Sequence, residues 1–296
     1  MIIADGHSGK DICYMYMPIE QSIQKASHAV KEADALLITA GAGMGVDSGL
    51  PDFRGNEGFW KAYPPIAKLG ISFSEMANPE WFLRDPKLAW AFYGHRLNLY
   101  RKTMPHPGFT KLLTAAGGKK AGYFIFTSNV DGHFQKAGFG EDRIEECHGS
   151  IHYLQCGKPC CDDIWEAGDT KVEIDMEKFT ALEPLPRCVR CGGIARPNVL
   201  MFGDWSWISG RTDSQSRRLS EWLADISRKS LRLAVIEVGA GKAVPTVRHF
   251  SEQAAAQLGG TLIRINPRDY NVPAGHISIP LGGAEGIERI ITPRIQ

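Results

Sequence analysis

The sequence predicts a doubly wound parallel α/β fold carrying a smaller second domain built from two insertions. Three observations lead there. Apolar, strand-like runs alternate with helical stretches along most of the chain. A glycine-rich turn beginning at Gly41 follows the first of those runs. Two segments break the alternation, 56–119 with its aromatics and helix formers and 151–195 with five clustered cysteines.

Residues 19–33 place Ile19, Ile23, Ala26, Val30 and Ala33 at helical spacing, so an amphipathic helix precedes the first strand. That strand is the apolar run Ala35 to Thr39. Further strands are expected at 122–127, 233–238 and 261–265, with a shorter one at 276–280. Several end in Gly, Ser or Asn, where a parallel sheet places its ligand loops. Helices are expected at 80–101, 108–116, 213–229 and 243–257. The segments 19–55, 120–150 and 196–296 then form a Rossmann-like nucleotide-binding domain. Segments 56–119 and 151–195 form the smaller helical domain, and 1–18 an N-terminal arm.

The bulk properties exclude several classes. The 296 residues are enough for one large or two small domains. A net charge of +1 gives no field to recruit nucleic acid or a membrane surface. No apolar run approaches the roughly 20 residues of a membrane span. Met1-Ile-Ile-Ala is too short for a signal-peptide core and Asp5 interrupts it, so a cytoplasmic protein is expected.

The turn Gly41-Ala-Gly-Met-Gly-Val-Asp-Ser-Gly-Leu-Pro-Asp-Phe-Arg-Gly55 is the most informative stretch. Its glycines let backbone turn sharply and approach a ligand. It departs from Gly-x-Gly-x-x-Gly, whose third glycine would fall at Val46. Asp52, Phe53 and Arg54 add a carboxylate, a flat ring and a fixed cation beside a phosphate-cradling loop. Thr127-Ser-Asn-Val-Asp131 ends a strand; Asn129 and Asp131 suit a ribose hydroxyl or a water, or simply close an Asx-turn. In Glu146-Cys-His-Gly-Ser150, His148 offers a general base near neutral pH, and the following glycine permits close substrate approach. Arg196-Pro-Asn-Val-Leu-Met-Phe-Gly-Asp204 offers Val199–Phe202 either as a buried strand or as an open edge for an extended peptide.

Cys156, Cys160, Cys161, Cys188 and Cys191 fall within 36 residues. In a reducing compartment such clustering points to metal ligands before disulfides. Two pairs of thiolates, Cys156 with Cys160 and Cys188 with Cys191, suit a closed, structural tetrahedral Zn2+ site. Cys160 is preferred to Cys161 because its spacing departs less from the usual one. Buried free cysteines are the alternative.

In order and spacing these motifs resemble the sirtuins, the NAD-dependent protein deacylases. The pattern Gly-Ala-Gly-x-Ser-x-x-Ser-Gly-x-Pro-x-Phe-Arg is matched with Gly45 for the first Ser. Thr-Gln-Asn-x-Asp is matched with Ser128 for Gln. His148-Gly149, two cysteine pairs and Arg-Pro-x-Val-x-x-Phe-Gly follow in register, and the similarity runs from about residue 20 to the C-terminus. The resemblance implies NAD, structural zinc and an acyl-lysine protein substrate. Gly41, Ala42 and Gly43 would line the NAD phosphates, and Asp52, Phe53 and Arg54 would form the cofactor loop. Ser128, Asn129 and Asp131 would sit on the nicotinamide side, and Asn266 would contact the adenosine ribose. His148 would deprotonate the ribose, while Val199, Met201 and Phe202 would border the acyl-lysine channel.

Two departures matter, Ser128 for Gln and the run after the fourth strand. The family's Gly-Thr-Ser is Gly239-Ala240-Gly241 here, which removes hydroxyls expected to help hold NAD. That run resembles a divergent microbial subgroup, some of whose members accompany macrodomains and are linked to mono-ADP-ribosylation of lipoyl-carrier proteins. A protein ADP-ribosyltransferase or an NAD glycohydrolase is therefore the alternative function. Tyr93-x-x-Arg96 resembles the pair of sirtuins that remove succinyl or malonyl groups; at i and i+3 the two side chains share a helix face. Packing of Tyr93 beside an exposed Arg96 is the other reading. Trp205 and Trp207 wall a substrate channel or cap a helix, and Arg211 approaches a phosphate or a substrate carboxylate.

Overall fold

The computed structural model describes residues 19–51 and 55–292. The expected arm 1–18 and the expected cofactor-loop residues Asp52, Phe53 and Arg54 lie outside them. Among the described residues no helix is long and apolar enough to cross a membrane.

Six parallel strands form the main sheet: β1 (Ala35–Ala40), β2 (Tyr123–Thr127), β3 (Ile144–Glu146), β9 (Leu233–Val238), β10 (Thr261–Ile265) and β11 (Ile277–Ile279). Their order is β11-β10-β9-β1-β2-β3. The chain therefore moves outward from β1 on one side, then restarts beside β1 and moves outward on the other. Ligand crevices of open α/β sheets form where the order reverses, here at the C-terminal ends of β1 and β9. Both faces are covered, which is why β1 and β9 are buried along their whole length and are mostly apolar, with Thr39 and Glu237 as their polar residues.

Alternation across the pleat sorts each strand's side chains between two cores. Leu36, Ile38 and Ala40 face α1 (Ile19–Glu32), α7 (Pro107–Gly117) and α11 (Gly283–Ile291). Ala35 and Leu37 face α9 (Gly210–Arg228) and α10 (Thr246–Leu258). The doubly wound expectation holds, with every expected strand of the sheet present. β3 was not expected: three residues with two glutamates give too little apolar signal, and only pairing with β2 defines them.

A third core joins the short helices α2 (Gly55–Ala62), α3 (Pro64–Lys68), α4 (Phe73–Met76) and α5 (Trp81–Arg84) to α6 (Pro86–Lys102). The helix expected at 80–101 is broken at Asp85. Asp85 caps α6 by accepting from the Leu88 N–H, and Pro86 follows at the first helical position, where its missing N–H costs nothing. A second sheet packs here: β4 (Gly149–Cys156) lies antiparallel between β5 (Ile164–Glu166) and β8 (Ala195–Val199). A small hairpin pairs β6 (Ile174–Asp175) with β7 (Thr180–Ala181). The strand expected over Val199–Phe202 instead ends at Val199 and begins at Ala195. Arg196 is tolerated inside it because both its terminal nitrogens meet the carboxylate of Asp204, at 2.7 and 2.9 Å, with both side chains fully buried.

Candidate functional site

The glycine turn sits at the reversal point, packed backbone against backbone on the loop that follows β9. Gly41 donates to the Val238 carbonyl and Gly43 to the Gly239 carbonyl, each at 3.0 Å. A Cβ on Gly41 would lie 2.7 Å from the Ala240 Cα, and one on Gly239, whose φ is +65°, would lie 2.4 Å from the Gly43 carbonyl carbon. Ala42 stays exposed on the outer side, while Ala240 is buried.

The β2 loop closes on the same turn. Thr127 donates its hydroxyl to the Ala40 carbonyl and accepts the Asn129 N–H, both at 3.0 Å. Asn129 then donates its amide to the Gly41 carbonyl at 3.0 Å, so two expected site residues touch directly. Asp131 is buried; its carboxylate accepts the His133 N–H at 2.9 Å, and its carbonyl lies 2.8 Å from His152 Nε2. Burial pushes the Asp131 carboxyl above its usual range, against the pull of that His133 bond and of nearby His152 and Arg96. His148 is half-buried beside Ser128. Burial lowers its imidazole below the ordinary value, opposed by a hydrogen bond to the Ser128 backbone. Its carbonyl accepts the Leu200 N–H at 3.0 Å, which ties the candidate base to the end of β8.

Three of the expected site residues are engaged by neighbouring protein groups. Asn266 is fully buried, and its amide is engaged by the Ala240 carbonyl and by the Arg268 and Asp269 N–H groups. It braces the loop after β9 against the loop after β10. Arg211 is paired within the protein: its Nη2 lies 2.5 Å from Glu146 Oε2, and its guanidinium stacks 4.1 Å over the Tyr153 ring. Arg96 is not exposed. It lies inward, over the rings of Phe92, Tyr93 and Tyr100, and donates from Nε to the Tyr100 hydroxyl at 3.0 Å. Tyr93 is buried between Phe82 and Phe92.

On the expected substrate side Val199 and Met201 are buried and Phe202 is exposed. The Phe202 N–H bonds to the Ala77 carbonyl, joining this loop to the helical layer. Trp205 is 99% exposed and caps no helix, whereas Trp207 is half-buried with an indole N–H that finds no partner.

The sulfurs of Cys156, Cys160, Cys188 and Cys191 lie within 4.8 Å of one another, and Cys161 is outside the group. Cys156–Cys191 and Cys160–Cys188 are each 3.7 Å apart. A tetrahedron with Zn–S near 2.3 Å has edges of about 3.8 Å, so the four cysteines fit a structural zinc.

Sequence reasoning missed the buried charges around the site. Glu237 and Arg264 face each other in register on β9 and β10, bonded through two nitrogens and fully buried, and Glu252 of α10 joins them. A lone charge of opposite sign in each of two neighbouring apolar strands was the available signal. His106, His133 and His152 were also missed; lone histidines carry no spacing that marks them.

Residues 41–214 match the SIR2 domain of the Sir2 family. The chain belongs to the Sir2 family. It is 30% identical to an NAD-dependent protein deacylase of Aquifex aeolicus, over 79% of this chain and 84% of that one. It is 31% identical to NAD-dependent protein deacylase 2 of Pyrobaculum aerophilum, over 86% and 89%. A Sir2 homologue solved with NAD superposes with a TM-score of 0.64 at 25% identity, covering 90% of this chain and 92% of that one. This Sir2 chain is thus a sirtuin-type enzyme that uses NAD, with a four-cysteine cluster suited to structural zinc.

Proposed function

We propose that this sirtuin removes acyl groups from protein lysines, with His148 as the general base. The observation that carries the reading is the placement of a half-buried imidazole against Ser128, in the loop that Asn129 ties to the glycine turn. NAD, when bound, supplies the ribose carbon to which the acyl oxygen transfers as nicotinamide leaves. Burial keeps His148 neutral at physiological pH, so Nδ1 or Nε2 can take a proton from a ribose hydroxyl. Val199 and Met201 supply apolar wall beside it, which keeps water from a reactive carbon. Asn129 and Asp131 stand at the end of the crevice where the nicotinamide would lie. Ala240 offers only a methyl where a hydroxyl would help hold NAD, so the cofactor is held here by backbone and shape.

The same reading extends to the acyl group. Arg96 keeps a buried cation among aromatic rings on the face it shares with Tyr93. A carboxylate at the end of an acyl chain would pair with such a guanidinium strongly. Mass spectrometry with NAD and acetyl-, succinyl-, malonyl-, lipoyl- and long-chain acyl-lysine peptides tests both points. Acyl-ADP-ribose formed only with peptide, and lost in His148→Ala, supports deacylation. Loss of desuccinylation with deacetylation kept in Arg96→Met supports the acidic preference, and full desuccinylation by Arg96→Met refutes it. ADP-ribose attached to a protein, such as a lipoyl carrier, or NAD hydrolysed without peptide would replace deacylase by transferase or glycohydrolase.

A further inference from the structure

Residue 146, two positions before His148, is gripped by the first turns of α9 at three points. Its N–H donates to Gln215 Oε1 at 3.1 Å, its carbonyl accepts from the Thr212 hydroxyl at 3.2 Å, and its carboxylate meets Arg211. The Glu146 side chain is 1% exposed, and neither of its oxygens receives a well-aligned hydrogen bond. Among the described residues Arg211 is the one cation paired with it. A buried carboxylate without hydrogen bonds depends on its counter-charge; once that is removed, it must draw in water or neutralise. Arg211 in turn is held by its stacking on Tyr153, which lies on β4 downstream of His148. One guanidinium therefore joins the strand before the candidate base, the strand after it, and α9.

We propose that Arg211 is a positioning residue: by neutralising Glu146 it clamps the Glu146–His148 segment on α9 and so fixes His148 against Ser128. The proposal rests on the reading of His148 as the base, and its test separates the two. Without Arg211 the Glu146 carboxylate takes up a proton or draws in water, and water reaches it by opening the β3–β4 turn. The backbone bonds at Cys147, whose N–H donates to the Thr127 carbonyl, and at His148 then loosen together. The titratable neighbours on this segment are Glu145, Glu146 and Cys147; from other elements Arg211 faces it, and Asp131 and His152 lie on the adjoining loop and strand.

The experiment compares Arg211→Met, Arg211→Lys and the charge-free pair Glu146→Gln/Arg211→Met in the full chain. Two readouts are taken: deacylation kinetics, and the His148 imidazole titration followed by NMR. Arg211→Met is expected to lower kcat by about tenfold or more while leaving KM for NAD within about twofold, since small misplacements of a reacting group carry large rate penalties. Its His148 titration moves upward as the imidazole gains water. Arg211→Lys and the charge-free pair recover most of both, and they carry the test if Arg211→Met does not fold. Parental kcat and an unmoved His148 titration in the folded variants overturn the proposal, as does loss of activity that follows melting alone. A parent without deacylase activity overturns the deacylase reading instead, and the titration still decides the positioning.

Discussion

Gly149→Ala separates two accounts of the glycine after the candidate base. From the sequence, Gly149 serves the approach of a substrate; in the structure it serves the approach of β8. Its φ is +74°, and a Cβ there would stand 2.1 Å from the Asn198 carbonyl oxygen. To reach ordinary contact β8 has to withdraw by more than an ångström. That opens the Gly149–Val199 and Ser150–Asn198 pairings and stretches the 3.0 Å bond from the Leu200 N–H to the His148 carbonyl. Left-handed backbone costs alanine about 1–2 kcal/mol and overpacking about 1–3, while the stiffer unfolded chain returns about 0.4–1. The middle of these ranges nets about 3 kcal/mol, and at about 2–4 °C per kcal/mol for chains of this order the melting temperature falls by about 6–12 °C. Thermal unfolding followed by circular dichroism measures it, and turnover at a temperature where both proteins are folded shows whether His148 moved. A melting temperature within about 2 °C of the parent would refute the claim that β8 presses on residue 149.

Three further outcomes are expected. Metal analysis finds about one zinc per chain; Cys191→Ser loses it and melts lower, whereas Cys161→Ser keeps it, and loss of metal in Cys161→Ser would reassign the ligand. Arg264→Met takes both hydrogen bonds from buried Glu237 and leaves it Arg248 at 3.9 Å, at a cost of up to about 3–5 kcal/mol read as a lower melting temperature, while Glu237→Gln/Arg264→Met recovers most of it. His133, buried with neither ring nitrogen partnered, is lowered to about 4, first by burial and then by Lys136. Its folded form binds fewer protons than the unfolded chain, so the stability it contributes is present above about pH 6.5 and is lost as pH falls toward 4. Melting temperature against pH should therefore drop less steeply in that window for His133→Phe; equal slopes would exclude His133 as a cause.

The site was legible where chemistry and spacing coincide. Gly41, Asn129, His148 and the cysteine pairs each carry an unusual residue type at a fixed distance, and the structure joins Asn129 to Gly41 and gathers four sulfurs. Arg211 stood out in the sequence as a cation, but its partner did not. Its partner Glu146 lies 65 positions away on a strand too short to announce itself. An amide at a strand end, such as Asn266, suits a ligand or a turn equally well in a sequence, and its bonds to the Ala240, Arg268 and Asp269 backbone appear only in the fold.

By itself the sequence determined the strand and helix alternation, the glycine turn, the clustering of cysteines and a candidate base, because each depends on local periodicity or on residue types at short range. The tertiary structure alone decided which charges are buried together, that β8 presses on Gly149, and that Arg211 answers Glu146. These depend on distances between segments far apart in the chain. A side chain's charge or shape is visible in a sequence, but the neighbour that makes it necessary is not.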